Sequence, residues 1–82
     1  MESEVGKITH YYSKLGVGIV NLSESLTVGD QVHFKGPTTD FSQTVSSLQV
    51  EYKEVGEAKK GEMVGMKTDQ KVREGDQVLK VS

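Results

Sequence analysis

The chain has 82 residues, with 10 lysine and arginine residues against 12 aspartate and glutamate residues, and a formal net charge of −2. A chain of this length forms one domain and buries only about 60–65% of the surface that its unfolded form exposes. We therefore expect no deep, private active site, and we expect ligands to bind at the surface. The absence of cysteine excludes disulfides, thiolate catalysis and cysteine-based zinc sites. The slightly negative charge gives no general attraction to nucleic acid.

The sequence predicts a cytoplasmic protein that does not associate with membranes. No stretch approaches the roughly 20 consecutive apolar residues of a membrane span. The start of the chain, residues 1–4, is acidic and lacks the apolar segment of a secretory signal.

The first half of the chain alternates apolar and polar side chains, which predicts strands over residues 5–12, 17–22 and 31–35. In the first of these, Ile8, His10 and Tyr12 share one face. Residues 13–16 are typical of a hairpin turn, and Gly18 inside the second strand indicates a bulge or a close backbone approach. The third strand ends at Gly36 and Pro37, because proline cannot donate to a continuing ladder.

The second half contains the longest β-like run, residues 40–53, in which the apolar positions change parity. A bulge at residues 46–47 would return them to one side and bend the strand. Residues 54–60 read as a loop or a single turn, and strands follow near residues 63–66 and 78–81. The parity predicts that these residues point into the core: Val32, Phe34, Phe41, Tyr52, Val64 and Met66.

The pattern Gly-acid-X-Val occurs three times, at residues 29–32, 61–64 and 75–78. Glycine adopts positive φ at little steric cost, and the acid can accept hydrogen bonds from nearby backbone amides. Three such corners predict strands launched from glycine turns. The sequence therefore predicts a single all-β domain over residues 1–82, with its core between about residues 5 and 81. The expected architecture is a small closed antiparallel β-barrel of about six strands.

No catalytic motif accompanies this pattern. Gly56 and Gly61 have the spacing of a phosphate-binding loop, but Glu62 and Met63 stand where lysine and serine or threonine are required. The two imidazoles, His10 and His33, are too few for a convergent metal site, and no nucleophile elbow is present. We predict that the chain is not an enzyme and that it binds no cofactor, metal ion or nucleotide.

Two groups of side chains are candidates for binding. Exposed tyrosines can stack on bases, and alternation predicts that either Tyr11 or Tyr12 faces solvent. A concentration of basic residues spans the last two glycine corners and could contact a phosphate backbone if folding brings them together. Its members are Lys59, Lys60, Lys67, Lys71 and Arg73. Acidic residues lie among them, so a solvated surface of mixed charge is the alternative.

The glycine corners resemble a known family. The segments 26–32, 45–50, 57–66 and 73–79 are similar to the second, β-barrel domain of translation elongation factors such as elongation factor Tu. The most specific part is the Ala-X-X-Gly-acid-X-Val-Gly block that begins at Ala58, followed by Gly-acid-X-Val-Leu at residues 75–79. The resemblance covers residues 5–81 and implies a closed barrel that binds no nucleotide. The sequence has no GTPase domain, so we expect no GTP hydrolysis.

The resemblance implies a non-enzymatic binding module of translation-factor type. Its expected partner is transfer RNA, ribosomal RNA or a ribonucleoprotein, contacted through the five basic residues and an exposed Tyr11 or Tyr12. Similar barrels are appended to collagenase-like peptidases, and this implies an alternative to RNA binding. In that alternative the chain is a protein-interaction domain that docks on a separate GTPase or peptidase through exposed apolar residues such as Leu15, Val20 or Met63.

Overall fold

The structure is a computed structural model that describes residues 2–81, which form ten β-strands and no helix. The strands are β1 Glu2–Tyr12, β2 Val17–Leu22, β3 Leu26–Thr27, β4 Gln31–Lys35, β5 Asp40–Thr44, β6 Leu48–Val50, β7 Lys53–Val55, β8 Glu57–Ala58, β9 Met63–Lys67 and β10 Gln77–Val81. The expected all-β class is confirmed, as are the strands at residues 17–22 and 31–35. The loop expected at residues 54–60 is wrong, since parts of β7 and β8 lie there.

Eight of the strands form one antiparallel sheet in the order β5-β4-β10-β1-β2-β9-β6-β7, and β3 pairs with β8. The edge strands β5 and β7 do not pair with each other, so the expected closed barrel of about six strands is wrong for the described residues. The chain leaves the ladder after β5, where Val45 exchanges backbone hydrogen bonds with Gly29 and Asp30. The sheet bends around its core without closing a ring of backbone hydrogen bonds.

A side chain spans the gap that a closed ladder would have filled. The Gln43 amide group donates to the Lys67 carbonyl oxygen at 2.8 Å and accepts from the Asp69 backbone N–H at 2.7 Å. This buried glutamine joins β5 to the end of β9. Buried polar groups need such partners, since an unpaired one costs about 1–3 kcal/mol.

Among residues 2–81, the core consists of fourteen buried apolar residues drawn from both sheets and the loops. They are Val5, Ile8, Val20, Leu22, Leu26, Val32, Phe34, Val45, Leu48, Ala58, Val64, Met66, Val72 and Val78. The inward positions predicted for Val32, Phe34, Val64 and Met66 are confirmed. Phe41 is half-buried, and its ring centroid lies 4.9 Å from that of Phe34. The core position predicted for Tyr52 is wrong, because a tight turn after β6 turns this side chain outward.

The three glycine corners share one geometry. Gly29, Gly61 and Gly75 have φ values of 100°, 89° and 89°. In each corner a backbone N–H donates to the carboxylate three residues later: Thr27 to Asp30 at 2.9 Å, Lys59 to Glu62 at 2.7 Å and Arg73 to Asp76 at 2.8 Å. The acid's own N–H returns a bond to the same residue's carbonyl oxygen. The predicted roles of glycine and acid are confirmed, and the positive φ at the third position is typical of a type II turn.

A bulge in β1 changes which side chains face the core. The pairing of β1 with β2 shifts register between Ile8 and His10, so that Ile8 faces inward and His10 outward. Beyond the bulge Tyr11 packs against the core and Tyr12 faces solvent. The expectation that Ile8, His10 and Tyr12 share one face is therefore wrong, because one extra residue in a strand reverses the alternation.

Candidate apolar docking groove

The outer surface of β2 and β9 carries apolar side chains that point away from the core. Val17 and Ile19 alternate with the buried Gly18 and Val20 along β2. The register places Ile19 beside Gly65, and Gly65 beside Gln49 of β6. Opposed residues of an antiparallel pair share a face, so these side chains form one outward surface.

This surface contains a groove of about 380 Å³, which we call the outer groove. Its lining consists of Tyr12, Leu15, Val17, Ile19, Gln49, Glu51, Tyr52, Met63, Val64 and Gly65. Gly65 forms the floor: a Cβ atom placed there would lie 3.4 Å from Val17 Cγ1 and 3.7 Å from Ile19 Cδ1. The groove therefore exists because the strand has no side chain at this position.

The outer groove concentrates the exposed apolar surface of the described chain. Six large apolar side chains among residues 2–81 are exposed, and four of them line the groove. Their exposed fractions are 98% for Tyr52, 68% for Leu15, 53% for Met63 and 47% for Tyr12. Scattered apolar residues are normal on a surface, whereas a contiguous patch in a groove is typical of a binding site.

The turn between β6 and β7 holds Tyr52 at the edge of the groove. Val50 pairs with Lys53, which leaves Glu51 and Tyr52 as a two-residue hairpin loop. Both have positive φ, 52° and 67°, as a type I′ turn requires. Asparagine and glycine are the residues that favour this turn, and the left-handed conformation costs other residues about 1 kcal/mol each. The fold thus maintains a strained backbone where it exposes an aromatic ring.

Tyr12, on the other side of the groove, is supported by its neighbour on the same strand face. The rings of His10 and Tyr12 meet edge to face with centroids 4.4 Å apart. His10 Nδ1 lies 3.7 Å from Glu74 Oε1, which joins this end of β1 to the corner before β10. The exposed ring of Tyr12 is therefore held by packing on one side and is open to the groove on the other.

The second imidazole lies in a polar cluster on β4. His33 Nδ1 is 2.7 Å from Glu2 Oε2, and His33 Nε2 is 2.5 Å from Asp40 Oδ1. The hydrogen bond with Asp40, followed by the one with Glu2, raises the pKa of His33 above its ordinary 6.5. Since both ring nitrogens already have carboxylate partners, this imidazole has no free nitrogen for a substrate. Among residues 2–81, no group of three or more histidine, cysteine or acidic side chains is arranged to hold a metal ion.

The basic residues predicted to bind RNA lie before β9, at its end and in the loop that follows it. All five are exposed, but Lys59 and Lys60 lie in the corner before β9 and Lys67 is the last residue of that strand. The five residues of β9 span roughly 13 Å, and this strand lies between the corner that carries Lys59 and Lys60 and the position of Lys67. Lys71 and Arg73 follow on the loop to β10. A binding role for these side chains stays a prediction, as it does for Tyr11, which is half-buried against the core.

The sequence predicts part of the outer groove. Leu15 and Met63 are exposed there, as the docking alternative expected, but Val20 is fully buried and that assignment is wrong. The sequence does not predict the exposure of Tyr52, because its turn has no glycine, asparagine or proline to mark it. The change of parity between Val45 and Leu48 marks the break between β5 and β6, so the single bulged strand expected over residues 40–53 is wrong. Tyr52 keeps the parity of Leu48 and Val50, and the sequence therefore does not signal its turn.

This chain is similar in sequence to parts of longer proteins that are described as proteases. An uncharacterized protease of Methanocaldococcus jannaschii is 41% identical over 76 residues, which cover 92% of this chain and 19% of that protein. A collagenase of Porphyromonas gingivalis is 35% identical over 78 residues, covering 93% of this chain and 22% of that protein. The chain thus spans about a fifth of the length of these relatives. No protein-family model matches it.

The fold matches a crystal structure of the C-terminal domain of a protein described as a U32 peptidase, from Geobacillus thermoleovorans. The TM-score is 0.90 at 22% identity, and the alignment covers 96% of this chain and 92% of that chain. The selenomethionine variant of the same domain gives a TM-score of 0.88. The chain therefore has the fold of this peptidase C-terminal domain.

These findings correct the identification made from the glycine corners. Sequence relatives and structural neighbours point to a peptidase C-terminal domain, so the assignment to the second domain of elongation factors is wrong. The translation-factor function is wrong with it, and the comparisons give no support for RNA partners. The corners are a way of launching strands in a small β-domain, and the same turn chemistry serves in unrelated proteins. None of the described residues forms a helix that could cross a membrane.

Proposed function

We propose that this chain is a non-catalytic accessory domain of a peptidase, and that it docks on the catalytic part of that peptidase through the outer groove. The observation that supports this most is the position of four exposed apolar side chains in one groove. The fold is that of a C-terminal domain, and the sequence matches about a fifth of each protease relative.

The size of the patch supports a domain–domain interface. Two tyrosine rings with Leu15 and Met63 offer apolar area on the order of 500 Å², since a buried aromatic side chain contributes about 150–250 Å². Interfaces between domains bury about 600–1,500 Å² in total, or half of that on each side. Stable complexes of separate proteins bury about 800 Å² per partner. We expect the isolated domain to bind weakly and the tethered domain to bind well, because tethering raises the effective concentration.

The polar chemistry of the domain supports a structural rather than a catalytic role. Both imidazoles have carboxylate neighbours: His33 contacts Glu2 and Asp40, and His10 approaches Glu74. The groove itself is lined by apolar side chains with one glutamine and one glutamate. Of the two partners that the docking alternative named, the comparisons favour a peptidase over a GTPase. A cytoplasmic location remains part of this proposal.

The proposal is tested by calorimetric titration of the domain into the Methanocaldococcus jannaschii protease from which the 76 matched residues have been deleted. Circular dichroism first establishes that the truncated protease is folded. Leu15→Asp should reduce affinity at least tenfold, because it places a charge in the apolar contact. Val28→Ala is the matched control, since Val28 is exposed and apolar but lies outside the groove. Equal binding by the wild type and Leu15→Asp would contradict the proposal.

Salt separates this mode of binding from an electrostatic one. Burial of apolar surface predicts that affinity changes less than about threefold between about 0.05 M and about 0.5 M salt, whereas contacts between charged groups weaken with screening. A steep loss of affinity with salt would indicate that charged residues, rather than the outer groove, make the contact.

A further inference from the structure

We infer that Tyr52 is the anchor of the docking surface and that the peptidase partner carries an apolar pocket that receives its phenol ring. This inference rests on the proposed function and names the residue on which it depends most. The Tyr52 side chain points into solvent rather than into the domain, and 98% of it is exposed.

The first argument is the exposure of the ring. A tyrosine that is fully solvated in the free domain has its whole apolar area available for a contact, about 200 Å². Tyrosine is enriched among the few residues that dominate binding energy at interfaces. Tyr12 is less suited to this role, since it is only 47% exposed and its ring already packs against His10.

The second argument is the backbone that supports the ring. Glu51 and Tyr52 both adopt positive φ in a two-residue hairpin loop. Replacement of this pair by asparagine and glycine would relieve the strain and stabilise the free domain. Residues held in a costly conformation cluster at binding and active sites, where the strain fixes a side chain for its partner. The turn therefore fixes where Tyr52 is presented.

The third argument is the position of the hairpin. Strand β7 is the last strand of the eight-stranded sheet and pairs with β6 alone, through three residue pairs. The turn thus stands at the sheet edge, with the floor at Gly65 and the exposed Met63 lining the same groove. A partner that inserts an apolar group into the groove would contact Tyr52 at the rim. Tyr52 would in turn insert into the apolar pocket of the partner.

The occupant is the peptidase rather than a second copy of this chain. The patch offers on the order of 500 Å², whereas a stable dimer of separate chains needs about 800 Å² on each side. A domain that is part of a longer protein needs less, because the contact is intramolecular. Sedimentation of the free domain tests this step: a dimer that Tyr52→Ala converts to a monomer would overturn the assignment of the occupant.

The test uses three variants in the same titration against the truncated Methanocaldococcus jannaschii protease. Tyr52→Ala should weaken binding roughly 30-fold or more, the loss expected of a dominant interface residue. Tyr52→Phe keeps the ring and should stay within about threefold of the wild type. The pair Glu51→Asn with Tyr52→Gly should lose binding as Tyr52→Ala does while raising the urea midpoint of unfolding, which shows that the loss is not due to misfolding.

The outcomes separate this inference from the proposed function. If Leu15→Asp abolishes binding and Tyr52→Ala does not weaken it, Tyr52 is not the anchor, although the outer groove remains the docking surface. If neither variant weakens binding, both statements are wrong. If both weaken it and the Asn-Gly variant is stable but does not bind, the anchor role stands.

Discussion

The outer surface of the sheet has two halves with opposite chemistry. Over β2, β9 and β6 the outward side chains are apolar and surround the bare floor at Gly65. Along β4 and β5 they are polar, and His33 joins Glu2 of β1 to Asp40 of β5 by hydrogen bonds. The polar side chains around His33 form their hydrogen bonds within the domain, whereas the outer groove exposes apolar area that only a partner can cover. Unburied apolar area, rather than charge, therefore distinguishes the surface that we propose for docking.

The largest effect is expected on the inner side of the apolar half. Leu48 of β6 is fully buried beneath the groove, and Leu48→Ala should lower the free energy of unfolding by about 2–5 kcal/mol. Its outward neighbour gives the control: Gln49→Ala should change stability by less than about 0.5 kcal/mol. Urea unfolding measures both. Similar losses from the two variants would show that the inner and outer faces of β6 are not distinct.

The polar half has a close contact of its own. A Cβ atom at Gly36 would lie 2.0 Å from Asp76 Oδ1, and the buried Asp76 carboxylate accepts the Arg73 N–H. Gly36→Ala should therefore destabilise the domain by about 1–3 kcal/mol, since the carboxylate must move. Gly56→Ala is the control, because no atom lies within 4 Å of a Cβ placed there. Equal thermal stability of the two variants would show that the contact between β4 and the last corner is dispensable.

A side chain placed at position 65, on the floor of the groove, should weaken binding while the domain still folds. The Cβ of Gly65→Val would make ordinary contacts with Val17 and Ile19, so the variant should fold. Its branched side chain would occupy the groove and should reduce affinity for the truncated protease about tenfold or more, or about 1.4 kcal/mol. Calorimetry and urea unfolding measured side by side decide this point. A folded Gly65→Val variant that binds normally would exclude the groove floor from the contact.

The smallest expected effect is the pH dependence of the polar half. The folded-state pKa of His33 is raised by Asp40 and then by Glu2. The stabilisation that protonated His33 gives the folded domain is therefore complete below the ordinary pKa of 6.5, and it is lost as pH rises through the raised pKa. Urea unfolding should show stability falling with rising pH over this window, and His33→Gln should remove that dependence. A wild-type stability that rises over the same window would contradict this assignment.

The sequence predicts most of the fold because its signals are local. Glycine followed by an acid determines the corners at Gly29, Gly61 and Gly75, and alternation places Phe34 and Val64 in the core. Two features lie beyond such signals. Closure of a barrel depends on whether the edge strands meet, which alternation does not encode. The β1 bulge also reverses the faces of His10 and Tyr11 without a glycine to mark it.

The groove could be predicted only in part. Leu15 and Met63 are apolar residues in or next to turns, where exposure can be expected. Tyr52 has the parity of a core residue, and only the left-handed turn, which the sequence does not signal, turns it outward. The resemblance to elongation factors failed for a related reason, since it rested on turn chemistry that many small β-domains share.

The most direct test of the docking surface is an NMR titration of the ¹⁵N-labelled domain with the truncated Methanocaldococcus jannaschii protease. We predict amide shift changes at residues of the outer groove, above all around Tyr52, Gly65 and Ile19, with His33 and its neighbours unchanged. Shift changes confined to the polar half around His33, or no shift changes with a folded protease, would contradict the central claim.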